Sequence, residues 1–186
     1  MNLRAVRPWV LAAVLVSALA GCGSGAASPS QSPSPPPATA ADFSNAACTA
    51  LGEFSLAWGN PDTNIKSDAW KKFDAAIKQK DAGQLEVAAT EILAHLEAAR
   101  TANARGSTWA PGAAASTELE AVLVALETEV TTVRAARGDP GVAAQAETTM
   151  QATWPHFLTY LQKVQALIQS KAFATPTVPC AAIGTG

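Results

Sequence analysis

Residues 81–106 read DAGQLEVAATEILAHLEAARTANARG, and this stretch decides the fold class. Leu85, Ala89, Ile92, Leu96 and Ala99 recur at steps of four and three, which sets them along one face of an α-helix and is incompatible with the period of two of a strand. Asp81, with Gln84 three residues on, resembles a capping box: a short acidic side chain can take up the free N–H groups of the first helical turn. The stripe ends around residues 104–106. One helix of this length with a single apolar stripe needs partners to cover that stripe.

The flanking sequence supplies them. Upstream, Phe43, Ala47, Leu51, Phe54 and Trp58 form a stripe ended by Gly59, Asn60 and Pro61. A shorter segment follows, with Ser67 as N-cap and Ala69, Phe73 and Ile77 on one face. Downstream, residues 106–112 read as a loop holding Trp109 and Pro111. Beyond it Leu119, Val122, Leu126, Val130 and Val133 mark another helix that stops near Gly138. Asp139 and Pro140 restart the chain as cap and first-turn proline. Ala143, Ala146, Met150, Trp154, Phe157, Leu161, Val164 and Ile168 then keep helical steps. Pro155 falls inside that run and should kink or split it, because it removes one backbone hydrogen bond and clashes with the preceding turn. No run alternates as a strand would. The predicted fold is all-α, an antiparallel bundle of four or five helices over residues 42–182.

The first 21 residues lie outside that fold. Arg4 and Arg7 precede an apolar run of about half the length a membrane-spanning helix needs, and small residues close it, as in a cleavable secretory signal. Leu19, Ala20, Gly21 and Cys22 then stand as LAGC, which resembles the lipobox of bacterial lipoproteins. The resemblance covers the export signal alone. It implies that the Cys22 thiol receives a diacylglyceryl group, that the bond before it is cut, and that the protein is lipid-anchored to the cell membrane on its extracytoplasmic face. Two or three acyl chains hold stably where one holds only marginally. Residues 23–41, GSGAASPSQSPSPPPATAA, carry no charge and no large apolar side chain, so residues 22–41 are expected to be a disordered Pro/Ser-rich tether. Serine, threonine and proline also suit an O-glycosylated stalk, but a bare spacer is the simpler reading.

Without the signal, 11 basic and 15 acidic side chains remain (13 less Arg4 and Arg7, against 15), a net charge of −4. That balance argues against nucleic acid as a partner, since neutralising phosphates needs a basic surface. Catalytic and metal signatures are also missing. Glu91 and His95 are four apart and share a helix face, half of what a metal site needs, but no second such pair matches them. His156 follows Pro155 and reads as a helix-start residue. The serines lack a nucleophile elbow. Glu118 with Glu120, and Glu127 with Glu129, are two apart and cannot face each other on a helix. The expectation is a non-enzymatic protein with no cofactor and no metal.

Three surface features remain. Lys66, Lys71, Lys72, Lys78 and Lys80 are five of the chain's seven lysines, interspersed with Asp68, Asp74 and Asp81 as on a solvated helix face. Glu118, Glu120, Glu127 and Glu129 form an acidic run that either faces the lysines, meets a basic partner or simply aids solubility. Trp58, Trp70 and Trp154 suit core or helix-end packing, whereas Trp109, in its Gly/Pro loop, is the candidate for contact with an envelope protein partner. The functional expectation is a membrane-anchored binding or protein-interaction module of the envelope. The alternative is a small-molecule binder with an apolar pocket between helices.

With Cys22 assigned to lipid by the lipobox resemblance, Cys48 and Cys180 are left in an oxidising compartment with one possible pairing, a disulfide. An even number of antiparallel helices brings the two to one end of the bundle. An odd number separates them unless the tail runs back along the bundle or the short helix of residues 67–80 lies across it.

Overall fold

A computed structural model describes residues 38–60 and 65–180 of the 186-residue chain. Helix α1 spans Ala40–Ala57, two-residue strands β1 (Gly59–Asn60) and β2 (Ile65–Lys66) pair antiparallel, and α2 spans Asp68–Gln79. Helices α3 (Ala82–Gly106), α4 (Ala110–Ala135), α5 (Pro140–Gln151) and α6 (Trp154–Gln169) follow. The signal segment, Cys22 and most of the tether lie outside the described residues. No described helix is long and apolar enough to cross a membrane.

The helix starts follow local chemistry. Asp81 Oδ1 accepts the N–H groups of Gly83 and Gln84, each at 3.0 Å, although Gln84 does not reach back to complete the box. Ser67 Oγ accepts the Trp70 N–H at 3.0 Å and donates to the Ala57 carbonyl at 2.8 Å, so one hydroxyl ties the end of α1 to the start of α2. Asp139 caps α5 through the Val142 N–H. The full reciprocal capping box belongs to Thr39 and Asp42, so α1 begins at Ala40, inside the stretch expected to be tether.

The six helices of the described residues form four antiparallel columns. The long helices α3 and α4, about 38 and 39 Å at 1.5 Å per residue, stand side by side. Helices α1 and α2 lie end to end along α3, with the β1–β2 pair at their joint. Helices α5 and α6 do the same along α4, split where Pro155 enters the first turn of α6. Aromatic rings close the bundle between the outer columns: Phe54 stacks on Phe157 at 5.1 Å and Trp58 meets Trp154 at 4.9 Å. Leu51, Phe54, Ile92, Leu96, Leu119, Leu126 and Tyr160 are each at most 1 % exposed, so the stripes read from the sequence converge on one core.

Two local expectations are corrected. The segment of residues 106–112 is not all loop, because α4 already starts at Ala110 with Pro111 in its first turn, where a missing N–H costs nothing. The chain also contains strand, since Gly59 and Lys66, and Asn60 and Ile65, pair across the joint between α1 and α2. Gly59 has φ +128°, and a Cβ there would fall 2.2 Å from the Ile65 carbonyl oxygen, so only glycine fits.

Candidate binding cleft

Several of the charged and titratable residues singled out in the sequence pair with side chains of other helices. Helix α3 sets His95 against α1, where its Nδ1 lies 2.7 Å from Glu53, while Glu91 binds Lys72 of α2 at 3.0 Å. His156, in the first turn of α6, lies 2.6 Å from Glu118, which also accepts from Lys163 at 2.8 Å. These hydrogen bonds, first that from His156 and then that from Lys163, hold the Glu118 carboxyl below its ordinary range. Glu120 and Glu127 are seven apart, two helical turns, and both grip Arg100, at 2.8 and 2.6 Å. The acidic run is therefore no free face for a basic partner. A hollow of about 770 Å³ is lined by Arg100, Glu120 and Glu127, which pair with one another, and by Glu97.

Trp109, the residue expected to contact a partner, has a packing contact of its own. It is half-buried as the N-cap of α4, its ring 5.2 Å from that of Phe43 and tilted against it, so it packs at the end of the core.

Cys48 and Cys180 are bonded, with their Cα atoms 4.8 Å apart across 132 positions of sequence. Four columns bring the end of α6 to the start of α1. The chain then runs back along α1: Phe173 meets the Phe43 ring edge-on at 6.0 Å, and the Thr177 N–H donates to Asn45 Oδ1 at 2.7 Å before Cys180 reaches Cys48.

Four buried side-chain atoms among the described residues lack a hydrogen-bond partner, namely Trp58 Nε1, Ser116 Oγ, Tyr160 OH and Glu129 Oε2, and of these only Glu129 is a carboxyl group. It lies on α4 between Leu126 and Val130, is 6 % exposed, and its Oε2 is buried with no hydrogen-bond partner. Burial pushes its carboxyl up to about 7, with the charge of Glu147 adding to the shift. Glu129 forms part of the wall of a cleft of about 360 Å³ between α2, α4 and α5, lined also by Lys66, Trp70, Asp74, Glu147 and Met150. On its other side a second hollow of about 530 Å³ runs between α4 and α5. Lys66 enters from β2 with its ammonium 3.6 Å from the ring centre of Trp58 and 5.2 Å from that of Trp70. Partial burial lowers the Lys66 pKa, and burial raises that of Asp74. Lys66 makes no ion pair with these carboxylates within 4.0 Å.

The sequence reading missed this cleft by grouping Glu129 with the surface acids and Lys66 with the surface lysines. The signal was present: Glu129 is three residues after Leu126 and four before Val133, on the apolar stripe itself. Among the described residues no three His, Cys, Asp or Glu side chains come together in a way that could hold a metal ion. No protein family, no curated protein and no solved structure matches the chain.

Proposed function

We propose that this protein is a lipoprotein, exported and held to the extracytoplasmic face of the cell membrane through an acylated Cys22, whose helical domain is a non-enzymatic binding module. The LAGC segment supports the anchor. The Cys48–Cys180 bond supports an oxidising compartment, because such bonds do not persist where thiols are kept reduced. Of the two binding modes, capture of a small molecule between helices is better supported than docking of a protein on the Trp109 loop. One observation carries that preference: a buried carboxylate oxygen without a partner, on the wall of a cleft that also holds an aromatic-bound lysine. Unpaired buried polar groups cost about 1 to 3 kcal/mol, and binding sites are where such a cost is repaid.

Two measurements test the two halves. Metabolic labelling with a palmitate analogue marks the wild-type protein and not Cys22→Ser, and an unlabelled wild type released to the medium overturns the anchor. Thermal-shift screening of the full chain against small cationic, neutral and anionic compounds finds a ligand whose effect is lost in Glu129→Gln. A protein crosslinked to the Trp109 face on intact cells, with no ligand found, overturns the small-molecule reading in favour of protein docking.

A further inference from the structure

We propose that the cleft between α2, α4 and α5 binds a small organic cation through an N–H-bearing ammonium group that donates to Glu129; this rests on the small-molecule reading above and names its ligand class. The charge balance of the cleft gives the sign. Glu129 faces it from α4, Asp74 and Lys78 from α2, Lys66 from β2 and Glu147 from α5. Once Glu129 is ionised, as at pH 8, three carboxylates stand against two ammonium groups and leave one uncompensated negative charge. Asp139 lines only the neighbouring hollow, where it is occupied in capping α5.

Lys66 does not discharge that balance, because its ammonium rests on the faces of Trp58 and Trp70 and stops short of the carboxylates. Of the two rings, Trp70 lines the cleft, so its wall already carries an aromatic face within reach of an ammonium group. The three carboxylates do not form a group that could hold a metal ion among the described residues, so an organic cation is the better fit. The cleft, at about 360 Å³, has the volume of about a dozen water molecules, which suits an amine of a few heavy atoms. Glu129 Oε2 has no hydrogen-bond partner, and an N–H donor brought to Glu129 on the cleft wall supplies one where a quaternary ammonium cannot. Binding of a cation also favours the ionised carboxylate, so a proton leaves Glu129 when the amine arrives.

The test uses three probes of one shape on the full chain in detergent: n-butylamine, butyltrimethylammonium and butyrate. Calorimetric titration at pH 8 gives binding of n-butylamine in about the millimolar range, as expected for so small a ligand. Butyltrimethylammonium binds at least about tenfold more weakly, since it lacks the charge-assisted hydrogen bond, and butyrate does not bind. Glu129→Gln weakens n-butylamine by about tenfold or more, and wild-type affinity falls between pH 8 and pH 6 with proton release seen in buffers of different ionisation enthalpy. Lys66→Met, which removes the competing charge, tightens n-butylamine severalfold and decides the matter if Glu129→Gln does not fold. Equal affinity for the quaternary probe, or an unchanged affinity in Lys66→Met, overturns the proposal. Butyrate binding that needs Lys66 overturns the amine class while leaving the cleft as a small-molecule site. Failure of every compound in the wider screen removes that reading as well.

Discussion

The first turn of α4 lies flat on the ring of Phe43: a Cβ added to Gly112 would stand 2.3 Å from Phe43 Cδ2. Gly112 is buried and helical, so its role is close approach. Gly112→Ala gains helix propensity of about 1 kcal/mol but must push the ring or the helix aside, for a net loss of about 1 to 3 kcal/mol. Thermal melting of the variant checks this. Pairing it with Phe43→Leu should recover part of the loss, since the two positions touch, and purely additive losses would show that the ring is not the obstacle.

Trp109 covers another face of the same ring, so Trp109→Ala is a packing mutation. Removing a half-buried indole from a core edge should cost about 2 kcal/mol, lowering the melting temperature by about 4 to 8 °C for a domain of this size. An unchanged melting temperature, with weaker capture of an envelope protein on intact cells, would return Trp109 to the role expected from the sequence.

These two residues mark where the sequence stopped being readable. The stripe residues of α1, α3 and α4 repeat at helical steps over several turns, and such a pattern has only one way to bury its apolar side chains; all of them are buried. The start of α4 was obscured because Gly, Pro and Trp within residues 106–112 carry loop signals, while the reason for Gly112 is a ring almost seventy positions away. Glu129 was obscured for the opposite reason. Its type says surface, and only its position three residues after Leu126 says core, so residue type misassigned the carboxyl group on which the proposed site rests. The disulfide was legible because only one pairing was left once Cys22 was set aside, and the four-column arrangement supplies the even parity it needs.

The Cys48–Cys180 bond closes a loop of 132 positions, for which chain entropy gives a stabilisation of about 5 kcal/mol as an upper figure. Cys180→Ser should cost about 2 to 5 kcal/mol in denaturant unfolding and leave one titratable thiol, at Cys48. The tail contacts of Phe173 with Phe43 and of Thr177 with Asn45 should loosen together, read as faster amide exchange at Thr177. Two free thiols in unfolded, unreduced wild type would show that the bond does not form in the cell.

Glu129 sets how stability depends on pH. Its folded-state pKa is raised, from an ordinary 4.5 to about 7, so between those values the folded chain holds a proton that the unfolded chain has released. Stability from this group is fully present below the lower value and is lost as pH rises through the upper one. Asp74, pushed the same way by partial burial, adds to that fall. On the acid side the sign reverses for Asp42, held low mainly by the Thr39 side chain, and for Glu118, held low mainly by His156: what they contribute is lost as pH falls through their lowered values. Wild-type stability should therefore peak in mildly acid solution and decline towards pH 8. Glu129→Gln keeps the shape and removes the titration, so it should flatten that decline and exceed wild type at pH 8 by about 1 to 3 kcal/mol, at 1.36 kcal/mol per pKa unit. Urea unfolding of both proteins at pH 5, 6.5 and 8 measures this, and parallel profiles would mean that Glu129 is already ionised and paired in the folded protein.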